Sequence, residues 1–159
     1  MGSTIAAHEG SQTMATPTVQ TLATSSVRGN DVSHWQGSIN WSTVYSKGAR
    51  FSYAKATEGT SYRDPRFGAN YLGAYKAGLK HGAYHFALPN KSTGATQANY
   101  FADHGGAWSK DGKTLPGTLD IEYNPYGSTC YGKSQSAMRS WIASFINRYH
   151  YRTGRWAVI

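Results

Sequence analysis

Apart from Glu9 near the amino terminus, the chain carries seven carboxylates: Asp31, Glu58, Asp64, Asp103, Asp111, Asp120 and Glu122. In Leu119-Asp120-Ile121-Glu122 one apolar residue separates two acids. On a strand both carboxylates point to one face and Ile121 to the other. Two carboxylates confined in one site do not both ionise easily, so one keeps its proton to a higher pH and can act as a general acid. Cleavage of a glycosidic bond needs such an acid to protonate the leaving oxygen, and a second carboxylate to stabilise or attack the oxocarbenium-like centre. The spacing alone fits two exposed acids on an edge strand as well.

Other spacings carry less. His81 and His85 lie four apart, which suits a metal on a helix, but Gly82-Ala83-Tyr84 between them belongs to a strand-like run, so no metal site is expected. Ser33-His34 is adjacency without a nucleophile elbow. Trp35, Trp41, Tyr53, Tyr62, Tyr84, Tyr123 and Tyr126 crowd the predicted strand ends. Sugar rings offer apolar C–H faces to such rings, although most aromatics in a domain are core.

The elements that must position these groups alternate. Short apolar runs at Asn30–Ser33, Phe51–Ala56, Gly82–Leu88, Leu115–Tyr123 and Trp156–Ile159 read as strands. Between them lie helical segments at Gly68–Leu79, with Tyr71, Leu72, Tyr75 and Leu79 on one face, and at Thr93–Phe101. A third runs over Ser134–Tyr149, with Met138, Trp141, Ile142, Phe145 and Ile146 on its apolar side. This is the pattern of an α/β protein with a mainly parallel sheet. Asp31, Glu58, Asp120 and Glu122 fall at or just after the carboxyl ends of predicted strands, where α/β barrels build their sites. Asp64, Asp103 and Asp111 read as solvated or capping residues.

The chain has 159 residues, enough for one domain with a sizeable core. Residues 1–28, rich in Ser, Thr and Ala, read as a disordered leader or linker, and the folded domain as 29–159. The net charge of +8 favours polyanions, but the basic residues are scattered from Arg28 to Arg155, which argues against a nucleic-acid groove. Cys130, the single cysteine, closes no disulfide within the chain. No apolar run approaches the roughly 20 residues of a membrane span, and the amino terminus lacks the apolar core of a signal peptide.

Four segments resemble glycoside hydrolase family 25, the N-acetylmuramidases, most closely its actinobacterial members. They are Asp31-Val32-Ser33-His34-Trp35-Gln36-Gly37 with Ile39-Asn40-Trp41, Lys55-Ala56-Thr57-Glu58-Gly59, Gly82-Ala83-Tyr84-His85-Phe86 and Leu119-Asp120-Ile121-Glu122. They occur in the family's order, and the resemblance covers Gly29 to Ile159. It implies a modified (β/α) barrel that cleaves the β-1,4 bond between N-acetylmuramic acid and N-acetylglucosamine in peptidoglycan without a cofactor. By position, Glu122 is then the general acid, Asp120 orients the acetamido group or a reacting water, and Asp31 supports the pair. Lys55, Glu58, Tyr84, His85 and Tyr123 contact the glycan. The resemblance also implies a secreted protein, monomeric when complete, whose partners are glycan strands and anionic wall polymers.

Family members continue beyond the position matching Ile159, with further strands, a late aspartate and a cysteine that pairs with the one matching Cys130. The expectation is therefore an incomplete barrel with two open sheet edges. Three readings follow: an active muramidase, a catalytically impaired fragment that binds cell-wall glycan, and, with little support, a basic nucleic-acid binder. The choice between a retaining, substrate-assisted route and direct attack by water stays open.

Overall fold

The structure is a computed structural model that describes residues 26–159; the expected leader, up to residue 25, lies outside the described residues. Strands β1 (Arg28–Val32), β2 (Ala49–Glu58), β4 (Lys80–Phe86) and β5 (Thr118–Asp120) form a curled parallel sheet in the order β1-β2-β4-β5. The two-residue strand β3 (Tyr62–Arg63) returns antiparallel on β2. Val158 continues the ladder beyond β5 through a parallel bridge to Thr118. Helices α1 (Trp41–Ser46), α2 (Phe67–Lys76), α3 (Gly94–Phe101) and α4 (Gln135–Thr153) supply the connections and cover the outer face. The result is half of a (β/α) barrel, open along one side.

Alternation along each strand divides the sheet into two faces. Val32, Ala54, Ala56, Ala83 and Leu119 point outward into the helices. Small residues dominate this face because the helices pack close to it. The bulk of the core comes instead from Phe101 on α3 and Trp141, Phe145 and Tyr149 on α4, whose rings stack in series. Phe101 and Phe145 are fully buried, each worth about 2–3 kcal/mol of transfer free energy. Tyr149 keeps its hydroxyl satisfied by donating to the Gly106 carbonyl at 2.7 Å and accepting from the Gly117 N–H at 2.8 Å. That pair of bonds ties α4 to the approach of β5.

Helix α4 is capped by Ser134, whose hydroxyl accepts from the Ala137 N–H at 3.2 Å, and is closed by Gly154 at φ 69°. It begins where the apolar spacing predicts and runs to Thr153, past the expected Tyr149. At Gly94 a Cβ would stand 2.2 Å from the Trp141 carbonyl oxygen, so the α3–α4 crossing tolerates only glycine there.

Two expectations are corrected. In α2, Leu72 and Tyr75 are exposed, while Asn70 and Ala74 are buried. The helix lies against Trp41 so closely that a Cβ on Gly73 would meet its indole at 2.2 Å, and small residues therefore define the inward face. The strand expected over Leu115–Tyr123 shrinks to Thr118–Asp120. Pro116 has no N–H for the ladder, and the chain leaves the sheet after Asp120.

Candidate active site

The inner face of the half-barrel holds a cleft of about 430 Å³ lined by Asp31, Tyr53, Tyr84, Thr118, Asp120 and Glu122, with Val158 and Ile159 at its open side. Register explains the gathering. Asp31 pairs with Tyr53, Lys55 with Tyr84, and Glu58 with Phe86, which in turn pairs with Asp120. These positions share the inner face at the carboxyl ends of their strands.

Asp120 ends β5 and is partly buried, whereas Glu122 stands in the following loop and is exposed. The Asp120 carboxyl is pushed up to about 7, first by loss of water and then by the charge and hydrogen bonding of Glu122. The Lys55 ammonium opposes the shift, and Asp31 adds weakly to it. The pair therefore keeps a proton to a pH well above the ordinary carboxylate range. Tyr84, beside them, is held well above the ordinary phenol range by burial and by the charges of Asp120, Asp31 and Asp64. It stays a neutral hydrogen-bonding group.

Lys55 is nearly buried and lies 2.5 Å from the Glu58 carboxylate. Three residues apart, they would face opposite sides of a regular strand. A register shift between Lys55 and Thr57 adds a residue to β2, so Thr57 turns outward to His85 and Glu58 returns to the inner face. The other Glu58 oxygen accepts from the Tyr126 hydroxyl at 2.8 Å, which draws the loop after β5 across the end of β4. Tyr131 in that loop donates to the Ala87 carbonyl at 3.1 Å, and its burial pushes the phenol up to about 12. Lys55 also sits over the rings of Phe86, at 4.8 Å, and Tyr62, at 5.4 Å.

Asp31, Lys55, Glu58, Tyr84, Asp120 and Glu122 thus converge. His85 does not. Its side chain points away from the cleft and is fully buried, with Thr57 Oγ1 at 2.8 Å from Nδ1 and Gln97 Oε1 at 2.9 Å from Nε2. Phe145 stacks on the ring, and burial pushes the imidazole down to about 4. Neighbouring residues of a strand face opposite sides, so Tyr84 and His85 do not line one cleft together. Tyr123 is exposed and borders a separate groove with Ile121, Met138 and Ile142, on the far side of Glu122.

Asp64 also departs from its expected place. Its side chain is wholly inaccessible, not solvated. It accepts from the His34 backbone N–H and ring Nδ1, both at 2.9 Å, and from the Arg66 N–H at the start of α2. The bond spans thirty residues, and nothing local in the sequence signals it. Trp41, counted among the aromatics near strand ends, is core. Asp103 and Asp111 are exposed, the first bonded to Arg152 and the second capping the turn before Thr114. Among the described residues no cluster of His, Cys, Asp or Glu is arranged to hold a metal ion, and no helix is long and apolar enough to cross a membrane.

A curled parallel sheet with helices outside and acids at the carboxyl ends of its strands places the protein in the (β/α)-barrel class. Residues 30–159 match Glycosyl hydrolases family 25, and the chain belongs to that family. It is 61% identical over 142 residues to Lysozyme M1 of Streptomyces globisporus, a match that covers 89% of this chain and 48% of that protein. It is 49% identical over 136 residues to the N,O-diacetylmuramidase of Chalaropsis sp, covering 84% of this chain and 64% of the relative. The chain thus spans about half to two thirds of these relatives. Among solved structures, the lysozyme of Streptomyces coelicolor superposes with a TM-score of 0.81 at 63% identity, covering 83% of this chain and 61% of that one. The family GH25 lysozyme of Aspergillus fumigatus gives 0.81 at 56% identity, covering 82% and 63%.

Proposed function

We propose that the chain is the catalytic part of an N-acetylmuramidase that hydrolyses the β-1,4 bond between N-acetylmuramic acid and N-acetylglucosamine in peptidoglycan. The observation that carries this reading is the Asp120–Glu122 pair at the floor of an aromatic-walled cleft, where burial and the neighbouring acid push the Asp120 carboxyl upward. The family's relatives are named lysozyme and muramidase, which agrees with it.

In the free site the proton rests on Asp120, the less exposed acid. A sugar seated over the cleft strips water from Glu122 and raises its proton affinity. The proton then passes to Glu122, which delivers it to the glycosidic oxygen as the bond to the anomeric carbon breaks. Asp120, now a carboxylate, accepts a hydrogen bond from the acetamido N–H of the bound sugar. Its carbonyl oxygen is thereby aimed at the anomeric carbon, where it forms a cyclic intermediate. Water opens that intermediate and gives its proton to the Glu122 carboxylate, with net retention. Both acids come from one strand end and line the same side of the cleft, which favours this assisted route over direct attack by water. NMR of the first-formed anomer decides: an inverted product excludes the assisted route.

Asp31 adds negative charge on the β1 side of the cleft, Lys55 and Glu58 bind substrate polar groups, and Tyr84 donates from the wall. Tyr123 serves substrate beyond Glu122. The site acts outside the cell, on wall glycan, and the surplus of basic residues draws the protein to anionic wall polymers. Clearing of a bacterial wall suspension, with Glu122→Gln as control, tests the activity. Absence of clearing by the parent leaves a wall-glycan binding protein in its place.

A further inference from the structure

Of the exposed aromatic groups that the mechanism leaves without work, Trp35, in a short 3-10 turn after β1, is the most exposed at 81%, against 55% for Trp156 and burial of Trp41 and Trp141. Its ring packs on that of His34, with centroids 4.6 Å apart and planes 36° from parallel. His34 is fixed from beneath. Asp64, inaccessible to water, takes both its backbone N–H and its ring Nδ1, and the Tyr62 hydroxyl lies 3.0 Å from the same nitrogen.

A carboxylate only accepts, so Nδ1 carries the ring proton in its bond to Asp64. In the neutral ring the lone pair is then on Nε2, which makes no hydrogen bond within the described residues. The turn itself is held by Ser33, whose hydroxyl accepts from the Trp35 N–H at 3.3 Å, and by Gln36, whose side chain accepts from the Ser33 N–H at 2.7 Å. A flat apolar face beside an oriented acceptor, carried on a turn whose backbone is already held, suits a hexopyranose ring with donor hydroxyl or acetamido groups.

Its position ties it to the cleft. Tyr62, bonded to His34, lies under the Lys55 ammonium, and Lys55 acts electrostatically on Asp120. Trp35 follows β1 while Asp120 ends β5, with β2 and β4 between them, a path of about 14 Å measured along the curled sheet. That is too far for the ring whose bond breaks and within reach of another ring of the same strand.

We propose that Trp35, backed by His34 and held by the positioning residue Asp64, is a stacking site for a sugar ring remote from the cleaved bond. The inference rests on the glycan-cleaving reading, and its test uses binding without turnover. In a Glu122→Gln background, calorimetry compares the β-1,4-linked N-acetylglucosamine tetramer with the dimer. Trp35→Ala is expected to weaken tetramer binding about tenfold, or ~1.4 kcal/mol, and to leave the dimer unchanged. Trp35→Tyr retains most of the affinity. Asp64→Asn is expected to shift the His34 ring ¹⁵N resonances toward the other tautomer and to weaken the tetramer, but to add nothing to Trp35→Ala. Equal tetramer affinity with and without the Trp35 ring, including no binding in either case, overturns the proposal. Wall clearing by the parent separately reports on the glycan-cleaving reading.

Discussion

Lys55 and Glu58, three residues apart on one strand, face the same side of the sheet because β2 bulges between them. Their contact compensates a nearly buried ammonium whose charge also reaches Asp120 across the cleft. Replacing Glu58 with Gln removes that compensation and weakens the anchor of Tyr126. The expected result is a fall of more than tenfold in kcat/KM and a lower urea midpoint. The double variant Lys55→Met, Glu58→Gln should regain part of the stability and none of the activity.

Glu122→Gln is expected to lower kcat by about 10²–10⁴-fold. The parent's rate should show an alkaline limb near pH 7, where the last proton leaves the Asp120–Glu122 pair. Initial clearing rates from pH 4 to 9 measure both. A rate that keeps rising beyond pH 8 contradicts the shared-proton mechanism.

Asp120 also limits stability. Its carboxyl is raised from an ordinary 3.8 to about 7 in the fold, so the unfolded chain releases this proton first. The native state's advantage is whole below pH 3.8 and is lost as pH rises through about 7. Asp120→Asn escapes that loss. After discounting for solvent screening, its gain over the parent at pH 8 should be about 1 kcal/mol. That corresponds to roughly 4 °C in Tm, and the gain should shrink toward pH 4. Paired melting curves at the two pH values check the sign.

His85 acts in the opposite direction. Its imidazole falls from an ordinary 6.5 to about 4, so the stability it confers is complete above 6.5 and drains away as pH falls through about 4. Because Asp120 pulls the parent the other way over this range, the measure is the difference between parent and His85→Phe: the parent's lead in urea midpoint should shrink between pH 7 and pH 4.5. His85→Phe is expected to lose about 2 kcal/mol at pH 7 through the stranded Thr57 and Gln97 groups and to flatten the pH dependence. KM should not change, because the ring does not reach the cleft. A raised KM in a folded variant contradicts the placement of His85 behind the sheet.

Much of this arrangement can be read from local pattern. Strands β2 and β4 and helices α3 and α4 announce themselves by apolar runs and apolar spacing, and the two helices begin at Thr93 and Ser134, which the structure shows as their caps. The D-x-E spacing brings both acids to the cleft even though Glu122 leaves the strand. What escapes is set by distant neighbours. The buried side of α2 follows from how close Trp41 stands, and the burial of Asp64 from a turn thirty residues away. For His85, strict alternation from Tyr84 is the better guide, and grouping the two by motif misplaces one of them. Alternation fails in turn at Lys55 and Glu58, because a bulge has no local marker in Ala56-Thr57.

The division of each strand into outward and inward residues has an evolutionary consequence. Along β4, Ala83 and His85 are fitted against the helices, while Tyr84 and Phe86 face the open side. A substitution at one parity is judged by whether the chain folds, and at the other by what the chain grips. Substrate preference can therefore drift through every second residue while the scaffold is inherited unchanged.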